Sequence, residues 1–407
     1  MITGSLLKIA FDAIKSSKLR SGLTFLGILI GVTSVMTIIS ALEGMTNSIE
    51  NSLSKLGPAT FIIQKIGVVT SEKMFWDKIK RKPLNFQSVE LLKKGCDLCE
   101  KISPRAVKRA GVKYGSQSLG NVFISGTTYD YIDIVDIGVA QGRFTSYEDD
   151  LYHRQVAFIG DLIRETFFPN VDPIGKTIKI GPQKYTVIGV SKKMGSTFGH
   201  NQDNFVIIPL SAFTKQFGIP HRRGLNIFVK ANSVAVLSEA MDQARSILRA
   251  QRHVPYNKKD DFDIVTADSI LEILNSFTRI FRFGLIGISS ISVVVGGIVV
   301  MNIMMVSVTE RTREIGIRKS IGAKQKHILL QFLFESLILT LSGGLLGIIC
   351  GFIIAKILVG LIHMDISPSV IAIVAGLSIS TLTGLIFGIY PAMKAARLDP
   401  IKALSYE

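Results

Sequence analysis

Residues whose types and spacing could do chemistry are few in this 407-residue chain. Cys96 and Cys99 stand in GCDLC, the CxxC spacing of a redox pair or of half a zinc site. A structural zinc site needs a second ligand pair. Cys350 lies inside an apolar run, and His153, His200 and His221 lack ligand spacing, so no metal is expected. Two readings of the pair stay open: a local disulfide in an oxidising compartment, or two free thiols at a helix end. An oxidoreductase centre is disfavoured. VDPIGKTI, residues 171–178, ends like a phosphate-binding P-loop, but Asn170 occupies the position of the first glycine, Pro173 removes an N–H, and a strand-like run follows instead of a helix. It reads as a turn entering a strand. No Ser/His/Asp set or carboxylate pair stands out, so no catalytic residue is assigned.

Charge gathers in one segment, TERTREIGIRKSIGA, residues 309–323, set between two long apolar runs. On a helical wheel Arg311, Ile315, Arg318 and Gly322 share one face, and Arg313, Ile317, Ser320 and Lys324 the opposite one. Glu310, Glu314 and Arg318 are spaced four apart, and Glu314 to Arg318 runs in the favourable i,i+4 direction. One face can lie against the membrane or the span ends while the other meets a partner. Composition alone favours a solvated basic loop resting on lipid headgroups.

The elements that must position this segment follow from hydropathy. With 47% hydrophobic residues and a mean hydropathy of +0.38, the chain reads as a membrane protein. Four runs are long enough to cross a hydrocarbon core: 22–43, 283–307, 329–357 and 369–390. The first follows Lys8, Lys15, Lys18 and Arg20, is too long for a signal-peptide core and lacks a good cleavage site, so a retained anchor is expected. Residues 1–21 read as a basic amphipathic helix on the inner membrane surface. Lys and Arg near the span ends place that helix, the 308–328 loop and the 391–407 tail in the cytoplasm. The block 44–282 and the link 358–368 then lie outside.

The outer block mixes short strands and helices, which predicts an α+β extracytoplasmic domain on helical stalks, in two lobes with a strand-rich insert at about 115–210. The spans carry almost no ionisable groups: Glu43, Arg282 and Lys356 fall near ends, and nothing charged is expected mid-membrane. Work done by the protein must therefore be powered from outside the spans. Small residues recur at every fourth position in Gly27 and Gly31, in Gly343, Gly347 and Gly351, and in Gly376, Ser380, Gly384 and Gly388, which predicts close helix packing with this chain or a second copy. The formal net charge of +16 is assigned to the inside bias and to anionic membrane lipids, not to nucleic acid.

MNIMMVSVTERTREIGIRKSIGAKQKHILLQFLFESLILTLSGGLLG (301–347) with the tail GIYPAMKAARLDPIKALSYE (388–407) resembles the permease part of MacB-type ABC transporters, within the FtsX-like permease family. SSKLRSGLTFLGILIGVTSV is similar to that family's first span, and GRF, DPIGKTIKI, YTVIGV and IIPL to its outer domain. The resemblance implies a dimer of permeases in the inner membrane and mechanotransmission, in which a cytoplasmic ATPase moves the outer domain without cargo crossing between the spans. No ATPase precedes the first span, so ATP and Mg are expected in a separate ABC ATPase subunit and no cofactor in this chain. Glu310, Arg311, Glu314, Ile315, Arg318, Lys319 and Gly322 are the residues the resemblance assigns to docking that subunit. A periplasmic adaptor and an outer-membrane channel are further partners it allows. Regulation of a cell-wall hydrolase, as for FtsX, and lipoprotein release are the alternative uses.

Overall fold

The computed structural model describes residues 18–53, 56–197, 200–220, 224–360 and 369–404. The expected amphipathic helix over 1–21 and the link 358–368 therefore fall, apart from their edges, outside the described residues. The chain forms two compact units, one of Met1–Asn47 with Ser276–Glu407 and one of Ser48–Asn275.

The second unit is built on a ten-stranded mixed sheet: β1 (Thr60–Gln64), β2 (Cys99–Tyr114), β3 (Gln117–Thr127), β4 (Val139–Gly142), β5 (Val156–Ile159), β6 (Thr177–Ile180), β7 (Gln183–Ser191), β8 (Phe205–Pro209), β9 (Asn226–Ala231) and β10 (Asp263–Thr266). Its order is β10-β1-β9-β2-β3-β8-β5-β7-β4, with β6 bridging β2 and β7. Alternation along the strands explains why both faces are covered. Ile227 and Val229 enter one core with Phe61, Ile63, Val206 and Ile208, while Phe228 between them enters another with Phe205, Ile207, Tyr131 and Phe158.

The segment 115–210, expected as a separate lobe, is continuous with its flanks. β2 is long enough to pair with β9 along one half and with β6 near its end, so one sheet runs through the domain. Three helices of this unit matter below: α2 (Glu72–Ile79), capped by Ser71, α3 (Phe86–Gly95), capped by Asn85, and α4 (Leu237–Gln251). A disulfide joins Cys96 at the end of α3 to Cys99 at the start of β2, with their Cα atoms 5.4 Å apart, so the structure takes the first of the two readings of GCDLC. VDPIGKTI makes the turn into β6, with Gly175 at φ +79°.

The first unit holds most of α1 (Lys18–Leu53) and of α5 (Ala267–Glu310), then α6 (Thr312–Ser320), α7 (Gln325–Gly360), α8 (Val370–Ala396) and α9 (Pro400–Leu404). Among the described residues, four stretches are long and apolar enough to cross a membrane: Leu26–Glu50, Val293–Glu310, Gln325–Leu358 and Val370–Ala396. The helix containing the second runs 44 residues, about 66 Å at 1.5 Å per residue, so it continues well beyond a bilayer's thickness.

The small-residue stripes pack inside this chain. A side chain at Gly347 would meet Val32 of α1 at 2.9 Å, and one at Gly351 would meet Met36 at 2.7 Å. Thr33 and Thr37 donate to the carbonyls of those two glycines, at 3.1 and 3.2 Å. Gly376 lies on Ile348 and Val32, Gly384 on Thr340, and Gly388 on Ser336, whose hydroxyl donates to the Gly384 carbonyl at 3.0 Å. Gly343 is buried, but the close approach to Ser380 is made by its neighbour Gly344. Gly27 faces Gly296 of α5, and Gly31 borders the same contact.

Candidate coupling site between the second and third spans

The charged segment 309–323 folds as a separate short helix between two long ones. α5 ends at Glu310, Arg311 leaves helical geometry (φ −104°, ψ 14°), and α6 begins at Thr312. α6 stops because Gly322 takes φ +100°, a conformation that costs a glycine little. The chain then folds back so that the Ala323 N–H donates to the Arg318 carbonyl at 3.0 Å, closing the helix end.

One face of α6 is fastened to the membrane unit. Ile315 is 2% exposed and sits with Val308, Ile328, Phe332, Ala392 and Ala396, which come from α5, α7 and α8. Gly316 admits α9 directly: a side chain there would lie 2.8 Å from the Ala403 Cβ. Lys319 Nζ donates to the Leu398 carbonyl at 2.7 Å. Arg311 pairs with Glu335 of α7 at 3.4 Å. That pair corrects the expectation of spans without charge. Glu335 lies within the third span with 6% of its side chain exposed, and its cost is offset by a cation supplied from the α5–α6 junction.

The other face is open. Arg313, Glu314, Ile317, Arg318, Ser320 and Ile321 are exposed, and so is Lys324 beyond the helix. Ile317 and Ile321 expose 46% and 82% of their surface amid these charges. Arg318 leans on Gln331 at 2.8 Å and lies 3.9 Å from Glu314. Arg318, Ile321, Gly322, His327 and Gln331 line an open hollow at the helix end. α9, seated on Gly316, exposes Ile401 and Leu404 as well. Such a patch, apolar in the middle and charged at its rim, has the composition of a protein-docking surface.

The seven expected docking residues thus divide. Arg311, Ile315 and Lys319 hold α6 in place, whereas Glu310, Glu314, Arg318 and Gly322 are exposed. Ile317 and Ile321, which were not among the seven, are exposed on the same open side; the wheel set Ile317 opposite Ile315 without showing which of the two would be buried.

Two family models match the chain: the MacB-like periplasmic core domain over residues 21–247 and the FtsX-like permease C-terminal over residues 286–400. A macrolide export ATP-binding/permease protein MacB from Bdellovibrio bacteriovorus is 34% identical over 98% of this chain and 61% of its own length. An uncharacterized ABC transporter permease, YvrN, from Bacillus subtilis is 33% identical over 98% of this chain and 99% of its own length. The chain therefore spans about three fifths of the first relative and nearly all of the second. Among solved structures, the periplasmic region of MacB from Actinobacillus actinomycetemcomitans aligns at a TM-score of 0.46 and 20% identity, covering 56% of this chain and 97% of that one.

Proposed function

Because the chain belongs to the MacB-like permeases of the FtsX-like family, we propose that it is the membrane subunit of an ABC export complex and relays the motion of a separate ATPase to its sheet-containing domain. The ATPase binds ATP and Mg; this chain supplies the lever. The outer face of α6, with Ile317 and Ile321 at its centre, docks the ATPase in the cytoplasm. The inner face is tied to α5, α7, α8 and α9, so a displacement of α6 is delivered to three of the four spans at once. α5 carries the displacement onward because it is one uninterrupted helix from Glu310 back to Ala267. The complex contains two permease copies, works without a cargo path through the spans, and can engage an adaptor and an outer-membrane channel.

The observation that carries this reading is the division of α6 into a fastened and an open face. Reversing charge at the rim, by Glu314→Lys or Arg318→Glu, leaves the permease folded and abolishes permease-dependent stimulation of the ATPase. Unchanged ATP-dependent activity and unchanged co-purification in both variants would remove the docking role.

A further inference from the structure

α2, residues Glu72–Ile79, is a helix that buries none of its own side chains. It is held by charge: Lys78 reaches Asp263 at 2.7 Å and the Val68 carbonyl at 2.9 Å, and the following Arg81 reaches Asp263 at 3.0 Å and the Lys65 carbonyl at 3.2 Å. In return it leaves Met74, Phe75 and Trp76 exposed by 37%, 39% and 54%. Helix burial normally supplies most of a helix's stability in a protein, so a charge-anchored helix displaying three large apolar side chains in a row has some other use.

A cleft of about 640 Å³ opens between α2, α4 and the segment leading into β10. Lys73, Lys78, Arg81, Arg245 and Lys259 line it, against Asp77, Asp260 and Asp263. Asp263 is taken by Lys78, Arg81 and the Gly67 N–H, and Asp260 by Arg245 and Arg249. Neither Lys73 nor Lys259 has an ion-pair partner among the described residues, and the exposed Lys80 and Lys82 follow α2. Met74 and the partly buried Ile264 supply the apolar wall, with Phe262 buried in the core behind them.

We propose that this cleft binds an anionic amphiphile, with its phosphate or carboxylate head between Lys73 and Lys259 and its apolar body along Met74 and Ile264. Lys73 and Lys259 against Asp77, the one acid of the cleft without an ion-pair partner among the described residues, leave a net positive charge that selects an anion, and the apolar wall selects one with a hydrocarbon part. A bare anion would leave that wall in water, and a flat acidic protein surface would not enter the cleft. The site lies wholly within the sheet-containing unit, so it does not depend on the ATPase reading.

Trp76 is the single tryptophan of the chain, which makes it a built-in reporter beside the cleft. The full-length protein in neutral-lipid nanodiscs is titrated with water-soluble dihexanoylphosphatidylglycerol, with dihexanoylphosphatidylcholine, with inorganic phosphate and with a poly-glutamate peptide, following tryptophan emission and calorimetric heat. A saturable response to the phosphatidylglycerol alone is expected. Lys73→Glu and Lys259→Glu each weaken it at least tenfold, and Lys73→Arg retains it. Both lysines are exposed, so the folded fraction, checked by thermal melting, stays at the wild-type value. An equal response to the zwitterionic lipid, saturation by phosphate alone, binding of the peptide without the lipid, or an undiminished response in both charge reversals would each overturn the proposal.

Discussion

Ile321 and Ile315 stand six residues apart in the same charged segment, yet one is 82% exposed and the other 2%. Full burial of an isoleucine is worth roughly 1.5–3 kcal/mol, so Ile315 secures α6, and a surface that covered Ile321 would gain a comparable amount. Arg311 and Glu335 form an ion pair in which the carboxylate is buried. Arg311→Met strands a buried carboxylate and lowers the unfolding temperature, and adding Glu335→Gln in that background recovers most of the loss; a double variant no more stable than the single one contradicts the pairing. Burial pushes the Asp149 carboxyl up, but hydrogen bonds from Arg143 and from Ser146 outweigh it and hold the pKa at about 2, below the usual 3.8. A depressed folded-state pKa contributes stability that is present above 3.8 and lost as pH falls towards 2. Because Arg143 is half exposed, solvent screening limits the effect to about 1–2 kcal/mol. Acid unfolding of wild type and Asp149→Asn should therefore converge near pH 2, with the wild type more stable at pH 5; a constant difference across that range would contradict the assignment.

At the scale of elements, the span contacts rest on glycine. Gly388 and Gly384 let α8 lie against Ser336 and Thr340 of α7. Gly388→Leu has no space to enter and should cost several kcal/mol, read as loss of monodisperse protein on size-exclusion chromatography; a well-behaved variant would show that the helices can separate there. These contacts were half legible. The every-fourth-residue spacing marked the faces, but choosing between this chain and a second copy needs the partner helix's residues, and those are set by tertiary packing. The same limit explains Gly344 in place of Gly343: adjacent small residues look alike in sequence, and only the crossing of α7 and α8 decides which one faces Ser380. Glu335 was overlooked because an apolar average hides a single acid whose cation comes from another element. The lobe boundary was drawn where strand-like runs thickened, but β2 crosses it, since strand length in sequence does not say how many neighbours a strand has.

For the whole molecule, hydropathy and charge revealed the four spans and the large inserted domain, because a membrane imposes length and composition on everything that crosses it. Which face of α6 is fastened was not legible, since the answer depends on α9, distant in sequence and brought to Gly316 by the fold. In the proposed mechanism the open face of α6 receives the ATPase. Its most direct test is the amount of ATPase that co-purifies with an Ile317→Asp, Ile321→Asp permease from cells expressing the complete complex. Two exposed isoleucines at the centre of an interface are worth at least about 2 kcal/mol together, so the account predicts at least tenfold less ATPase per permease, with the permease's unfolding temperature unchanged. Wild-type ATPase retention in that variant would contradict it.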